Sequence, residues 1–149
     1  MSNQVNREVI LIIPMYPNIE LAAAQTAFSL AEMMDFDEDD IDEIQLAIIE
    51  TCINAFEHSK SEDNRVSIKF IMRDNELELK ITDCGVGFRL DHAKPAKIGE
   101  VGLKKRGWGL EIIRNMMDEV SIESSDKGTT ITMIKRKVTP IHSEAFSNA

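Results

Sequence analysis

A chain of 149 residues, 43 % of them hydrophobic, has the size and apolar content of a single domain with its own core. Its 26 acidic against 17 basic residues give a net charge of −9, which opposes sequence-independent binding to nucleic acid phosphates or anionic membranes. Two cysteines without a Cys-x-x-Cys spacing and three histidines far apart in sequence, His58, His92 and His142, argue against a structural zinc site.

In chain order, Val9 to Ile13 is a short apolar run ended by Pro14 and reads as a buried strand. The N-terminus carries no charged leader with a small-residue cleavage site, and no stretch approaches the roughly 20 apolar residues of a membrane span. A cytoplasmic protein with Cys52 and Cys84 reduced is therefore expected. Asn18 is placed to cap a helix of alanine, leucine and methionine running to about Met34. The carboxylates of "DFDEDDID" suit the start of a second helix, from about Glu38 to His58. "VSIKFIM" and "LELKITD" alternate in period two around "RDNE" and read as an antiparallel hairpin. A polar, basic segment follows from Arg89 to Arg106, then a third helix from about Trp108 to Met117. "VSIES" and "TTITMIKRK" around "SDKG" form a second hairpin. These elements predict an α/β sandwich, with helices on one face of a mixed, mostly antiparallel sheet. One domain is expected over residues 1–138, with 139–149 as a flexible tail.

Three stretches could carry chemistry. On the second helix, at about 100° per residue, Glu50, Asn54, Glu57 and His58 share one narrow arc. Ile41, Ile44, Leu46, Ile48, Ile49, Cys52, Ile53, Ala55 and Phe56 cover the rest. A solvated face would explain that ridge, but such a face is normally wider and richer in lysine. The i, i+4 spacing of Glu50 and Asn54 sets a carboxylate beside an amide oxygen, a pair suited to Mg²⁺ and to a base that activates a nucleophile. In "TDCGVGFRL", Asp83 ends a strand and Gly85 and Gly87 follow it. A tight turn explains one glycine. Two beside a carboxylate fit a flat ligand lying close to the backbone and donating to Asp83. In "KKRGWGLEII", Lys104, Lys105 and Arg106 precede Gly107, Trp108 and Gly109, and a helix begins near Leu110. Glycines before a helix N-terminus with basic residues beside them suit an anion, although they also suit a plain loop. No G-x-x-x-x-G-K-[ST] pattern is present, so a nucleotide would be held by another arrangement.

Taken in order, "EIQLAIIETCINAFEHS", "ITDCGVGF", "KRGWGLEIIRNMMDEV" and "KGTTITM" resemble the successive boxes of the gyrase, Hsp90, histidine kinase and MutL type of ATP-binding domain, the Bergerat-type fold. More narrowly, the chain resembles the anti-sigma factor serine/threonine kinases of bacteria, over roughly Val9 to Lys137. The resemblance implies ATP and Mg²⁺ as cofactors, with Asn54 as the metal ligand, Glu50 as general base and Asp83 accepting the adenine amine. It makes Gly85 and Gly87 the adenine-box glycines and Gly107 and Gly109 the phosphate-side glycines. Arg106 falls at the end of the phosphate lid, with Lys104, Lys105, Trp108 and Leu110 around it, and Thr130 lines the adenine pocket. It also implies a homodimer that binds a sigma factor and phosphorylates a STAS-type anti-anti-sigma partner. Two departures stand out: the bulk of Trp108 between the glycines, and a first helix without a basic residue. An ATP-gated binding switch without phosphate transfer is the alternative; retention of both Glu50 and Asn54 favours the kinase.

Overall fold

The computed structural model describes residues 7–58, 64–84, 110–125 and 128–138. The order is β1 (Arg7–Pro14), α1 (Glu20–Met33), α2 (Glu38–His58), β2 (Arg65–Met72), β3 (Glu76–Cys84), α3 (residues 110–116), β4 (Glu119–Ser125) and β5 (Gly128–Arg136). The strands form one five-stranded sheet in the order β1-β2-β3-β5-β4, and every described pair is antiparallel. Both predicted hairpins are present, and β3 joins them by pairing with β5, Leu79 opposite Met133 and Ile81 opposite Ile131.

Period-two alternation divides the sheet into two faces. Val66, Ile68 and Phe70 of β2, Leu77, Leu79 and Ile81 of β3, and Ile131 and Met133 of β5 point to the helices and are buried. Ile44 and Ile48 of α2 and Ile113 of α3 complete the core from the other side. The opposite face carries Ser67, Lys69, Lys80, Thr82, Thr130 and Thr132, together with a charged cluster. There Arg73 donates to Glu78 at 2.7 Å and to Glu76 at 3.2 Å, and Arg136 donates to Glu76 and Glu119.

β1 departs from the buried strand that its apolar run suggests. Among the described strands it is an edge strand paired only with β2, so the face bearing Val9, Leu11 and Ile13 packs inward while Ile10 and Ile12 are 58 % and 59 % exposed. Asn18 also differs from expectation. Its side chain makes no cap: Ile19 is the N-cap residue, and Asn18 takes φ 75° in a turn closed by Ile19 N–H donating to the Tyr16 carbonyl at 3.1 Å. Asparagine tolerates that left-handed region, which explains its presence there.

α1 ends in a Schellman arrangement: Asp35, φ 64°, takes the position usually held by glycine, and the N–H of Phe36 reaches the Ala31 carbonyl at 3.1 Å. The buried Phe36 then turns the chain into α2. Asp37 caps that helix, accepting from the Asp40 N–H at 2.9 Å. Ala23, Ala24, Ala27 and Ala31 let α1 lie close against α2, and Gln45 fastens the pair by donating to the Ala24 carbonyl at 3.1 Å. Leu46, counted by periodicity with the apolar arc, instead borders the polar ridge and is 39 % exposed. Burial pushes the Cys52 thiol up to about 12, which leaves it neutral and unreactive.

Among the described residues Phe70 is the largest fully buried side chain. Phe70→Ala is expected to cost about 3–5 kcal/mol in a urea titration. Ser67→Ala, on the other face of the same strand, should stay within about 0.5 kcal/mol. Similar losses for the two would show that the faces are wrongly assigned.

Candidate functional site

At one end of the core the residues become polar. Asp83, the penultimate residue of β3, lies opposite Thr129 of β5, and each is 1 % exposed on the helix side of the sheet. Thr129 also lies opposite Ser124 of β4, with the two hydroxyls 3.0 Å apart. A carboxylate and a hydroxyl are thereby set side by side at the end of a strand pair whose next inward positions are Ile81, Leu79, Ile131 and Met133.

Thr130 does not share this site. It pairs with Thr82 on the opposite face, where their hydroxyls are 3.2 Å apart. In a strand, neighbours along the chain point to opposite faces, so only one of Thr129 and Thr130 can stand beside Asp83. The signal that selects Thr129 is present in the sequence, since Ile131 and Met133, the core residues of β5, have the same parity as 129.

α2 approaches the same end. Its Asp40 and Glu43 lie at Lys135 of β5, and its Thr51 lies at Met133, with the hydroxyl 3.5 Å from the sulfur. As α2 advances, it therefore passes towards lower residue numbers in β5, and this direction carries Asn54 towards the Asp83 and Thr129 end. Asn54 is 2 % exposed, and its side-chain amide nitrogen is buried without a hydrogen-bond partner among the described residues. Thr51 shows the ordinary solution for a polar residue inside a helix, since it donates to the Ala47 carbonyl at 2.8 Å. Leaving an amide N–H buried and unpaired costs about 1–3 kcal/mol, and such a group calls for an explanation. Glu50, one turn earlier, is half-buried, whereas Glu57 is exposed. The predicted ridge thus divides: Asn54 points into the molecule, and Glu50 sits at its margin.

The donor set suits a hard cation held jointly with phosphates. An amide oxygen at Asn54 with a carboxylate one turn away provides the one or two oxygen ligands that Mg²⁺ takes from a protein when phosphates and water fill the other positions. Gly85, Gly87, Lys104, Lys105, Arg106, Gly107, Trp108 and Gly109 lie outside the described residues. Leu110 opens the described part of α3, half-buried against the core. None of the described helices is long and apolar enough to cross a membrane.

Residues 18–135 match the model of the histidine kinase-like ATPase domain. Over 118 residues the chain is 34 % identical to the serine-protein kinase RsbW of Bacillus thuringiensis and of Bacillus cereus, covering 74 % of this chain and 72 % of each relative. The RsbW of Bacillus anthracis is 33 % identical over the same length. Among solved structures, the RsbU and RsbW domains of a Mycobacterium tuberculosis protein superpose with a TM-score of 0.69 at 20 % identity, over 90 % of this chain. This chain spans 33 % of that longer one. The SiaB–SiaC complex of Pseudomonas aeruginosa superposes with a TM-score of 0.59 at 9 % identity, covering 85 % of this chain and 88 % of that one. These two likenesses concern the fold, an open antiparallel sheet with helices on one side. Sequence kinship, fold and the buried polar end of the core agree: the chain belongs to the histidine kinase-like ATPase domain family, among the serine-protein kinases of the RsbW kind.

Proposed function

We propose that this chain is a cytoplasmic anti-sigma factor with serine/threonine kinase activity, which binds ATP with Mg²⁺ and phosphorylates a STAS-type anti-anti-sigma partner. The observation that carries the reading is the buried polar end of the core, Asp83 and Thr129 on the sheet with Asn54 on α2, in a chain akin to serine-protein kinases. Asp83 accepts the exocyclic amine of adenine, and the Thr129 hydroxyl serves as a second polar contact at the ring. Asn54 holds Mg²⁺, which when bound neutralises charge on the phosphates. Gly85 and Gly87 line the adenine side, and Lys104, Lys105, Arg106, Gly107, Trp108, Gly109 and Leu110 border the phosphates. Glu50 takes the proton from the attacking serine hydroxyl while its oxygen bonds to the γ-phosphorus and the bond to the ADP oxygen breaks. Most of the acceleration comes from positioning and charge neutralisation.

A phosphate on the partner adds about −1.5 to −2 charges beside a protein of net charge −9. The phosphorylated partner is repelled and leaves, freeing the chain to hold its sigma factor. The protein is a homodimer whose seam includes β1, since that edge strand presents open backbone groups together with the exposed Ile10 and Ile12.

Three measurements test this reading. Glu50→Gln is expected to lose phosphate transfer by roughly 100-fold or more while keeping nucleotide affinity, whereas Asn54→Ala loses the Mg²⁺-dependent part of that affinity. Transfer of labelled phosphate from ATP to a serine of the partner, beside a binding titration, separates the two; wild-type transfer by Glu50→Gln would remove the base from this residue. Thr129→Val should weaken ATP binding by about 1 kcal/mol or more, and Thr130→Val should leave it unchanged. Calorimetry decides, and the reverse order would return the adenine role to Thr130. For the assembly, sedimentation of the wild type at micromolar concentration should report a dimer, and Ile10→Asp with Ile12→Asp a monomer. A monomeric wild type refutes the seam.

A further inference from the structure

Away from the polar end described above, one cation is buried in the core among the described residues. Lys135 of β5 is 6 % exposed and lies opposite Leu77, on the helix side of the sheet. Its ammonium donates to Glu43 Oε1 at 2.5 Å and to the Met116 carbonyl at 2.5 Å, with Asp40 Oδ1 at 3.7 Å. The three partners come from different places: Asp40 and Glu43 from the first two turns of α2, and Met116 from the last position of α3, where a helix leaves carbonyls unpaired. Two further bonds tie the residues after α3 to β5: Asp118 N–H donates to the Ile134 carbonyl at 2.9 Å, and the Arg136 backbone N–H donates to the side chain of Asp118, at Oδ2, at 2.6 Å. Burial, and then the Asp37 carboxylate, raise the Asp40 carboxyl above its usual range, with Lys135 pulling it back.

A buried ion pair is a poor device for stability, because desolvating the charges offsets most of their attraction. Its directional bonds are what set it apart from a packed methionine. Directed side-chain contacts from β5 to α2 include those of Lys135, to Glu43 and Asp40, and that of Thr51 to Met133. Together they fix both the rotation of α2 about its axis and its register along β5. The nucleotide contacts proposed above are divided between these elements, with Asp83 and Thr129 on the sheet and Glu50 and Asn54 on α2.

We propose that Lys135 is a positioning residue for phosphate transfer: by bonding α2 and the end of α3 to β5, it sets Glu50 and Asn54 at the working distance from Asp83 and Thr129. The proposal rests on the kinase reading for its transfer readout, but its metal readout does not.

The test compares wild type with Lys135→Met, which keeps the length of the side chain and removes the charge, and with Glu43→Gln, a milder change at a half-exposed position. Adenosine binding, made on the sheet, should stay within about twofold in both variants, since Lys135 lies opposite Leu77 at the far end of the β3–β5 pair from Asp83 and Thr129, and Glu43 lies on α2. The gain in ATP affinity on adding Mg²⁺ should fall in both, and transfer should slow roughly 10- to 100-fold in Lys135→Met at saturating ATP. A merely structural role predicts the opposite split: a lower melting temperature, with adenosine and Mg²⁺–ATP affinities falling in parallel. Either that parallel loss or an unchanged Mg²⁺ gain with full transfer overturns the proposal. If Lys135→Met does not fold, Glu43→Gln alone decides by the same split. If the wild type transfers no phosphate, the kinase reading fails while the Mg²⁺ gain still judges the clamp.

Discussion

The pairing of β3 with β5 is the constraint on which the rest of the molecule depends. It joins two hairpins that would otherwise be separate, and it makes β3 the central strand, bonded along both edges. Its register is held by the inward set Leu77, Leu79 and Ile81 against Ile131 and Met133, because a slip of one residue would turn a strand's apolar side chains to the outer face. The same register brings Asp83 to Thr129. Polar groups set by a strand pair this constrained need little reorganisation when a ligand arrives, which is how a binding site is preorganised.

α2 meets two demands that pull against each other. Over 21 residues it supplies the apolar stripe that closes the core, and it also delivers Asn54 to a buried position. Ile44 and Ile48 contribute through area removed from water, at about 25 cal/mol per Å². Asn54, buried with an amide N–H that has no partner among the described residues, works against that gain. A helix selected for stability alone would place an alanine or leucine there. The polar residue is intelligible as part of a ligand site, where the missing hydrogen bond is made by what binds.

The outer face of the sheet has a different character. Its hydroxyl residues and the cluster of Arg73, Glu76, Glu78, Arg136 and Glu119 keep a broad sheet surface wet, while the apolar exposure gathers at the β1 edge through Ile10 and Ile12. Charge in the middle and apolar residues at the rim favour contact along the edge over stacking of whole sheets.

Periodicity and turn chemistry are local, and whatever depends on them was legible in the sequence: α2 from Glu38 to His58, both hairpins, the α/β sandwich, and the prominence of Asn54 and Asp83. The four ordered boxes carried the family. Where contact between distant segments decides, the sequence was silent or misleading. The apolar run at Val9 to Ile13 reads as buried because composition does not reveal that β1 lies at an edge. Asn18 is a local exception: it has the chemistry of a cap, but the Tyr16–Ile19 turn holds it at φ 75° instead. Thr129 and Thr130 are equivalent in composition; parity with Ile131 and Met133 marks Thr129 as the inward one, but only the β3–β5 register sets it opposite Asp83. Lys135 stands in a basic run at the end of a strand as one charge among several. The tertiary structure makes it a buried one, because its partners lie 92 residues away on α2 and 19 away on α3, separations across which no sequence pattern carries a signal.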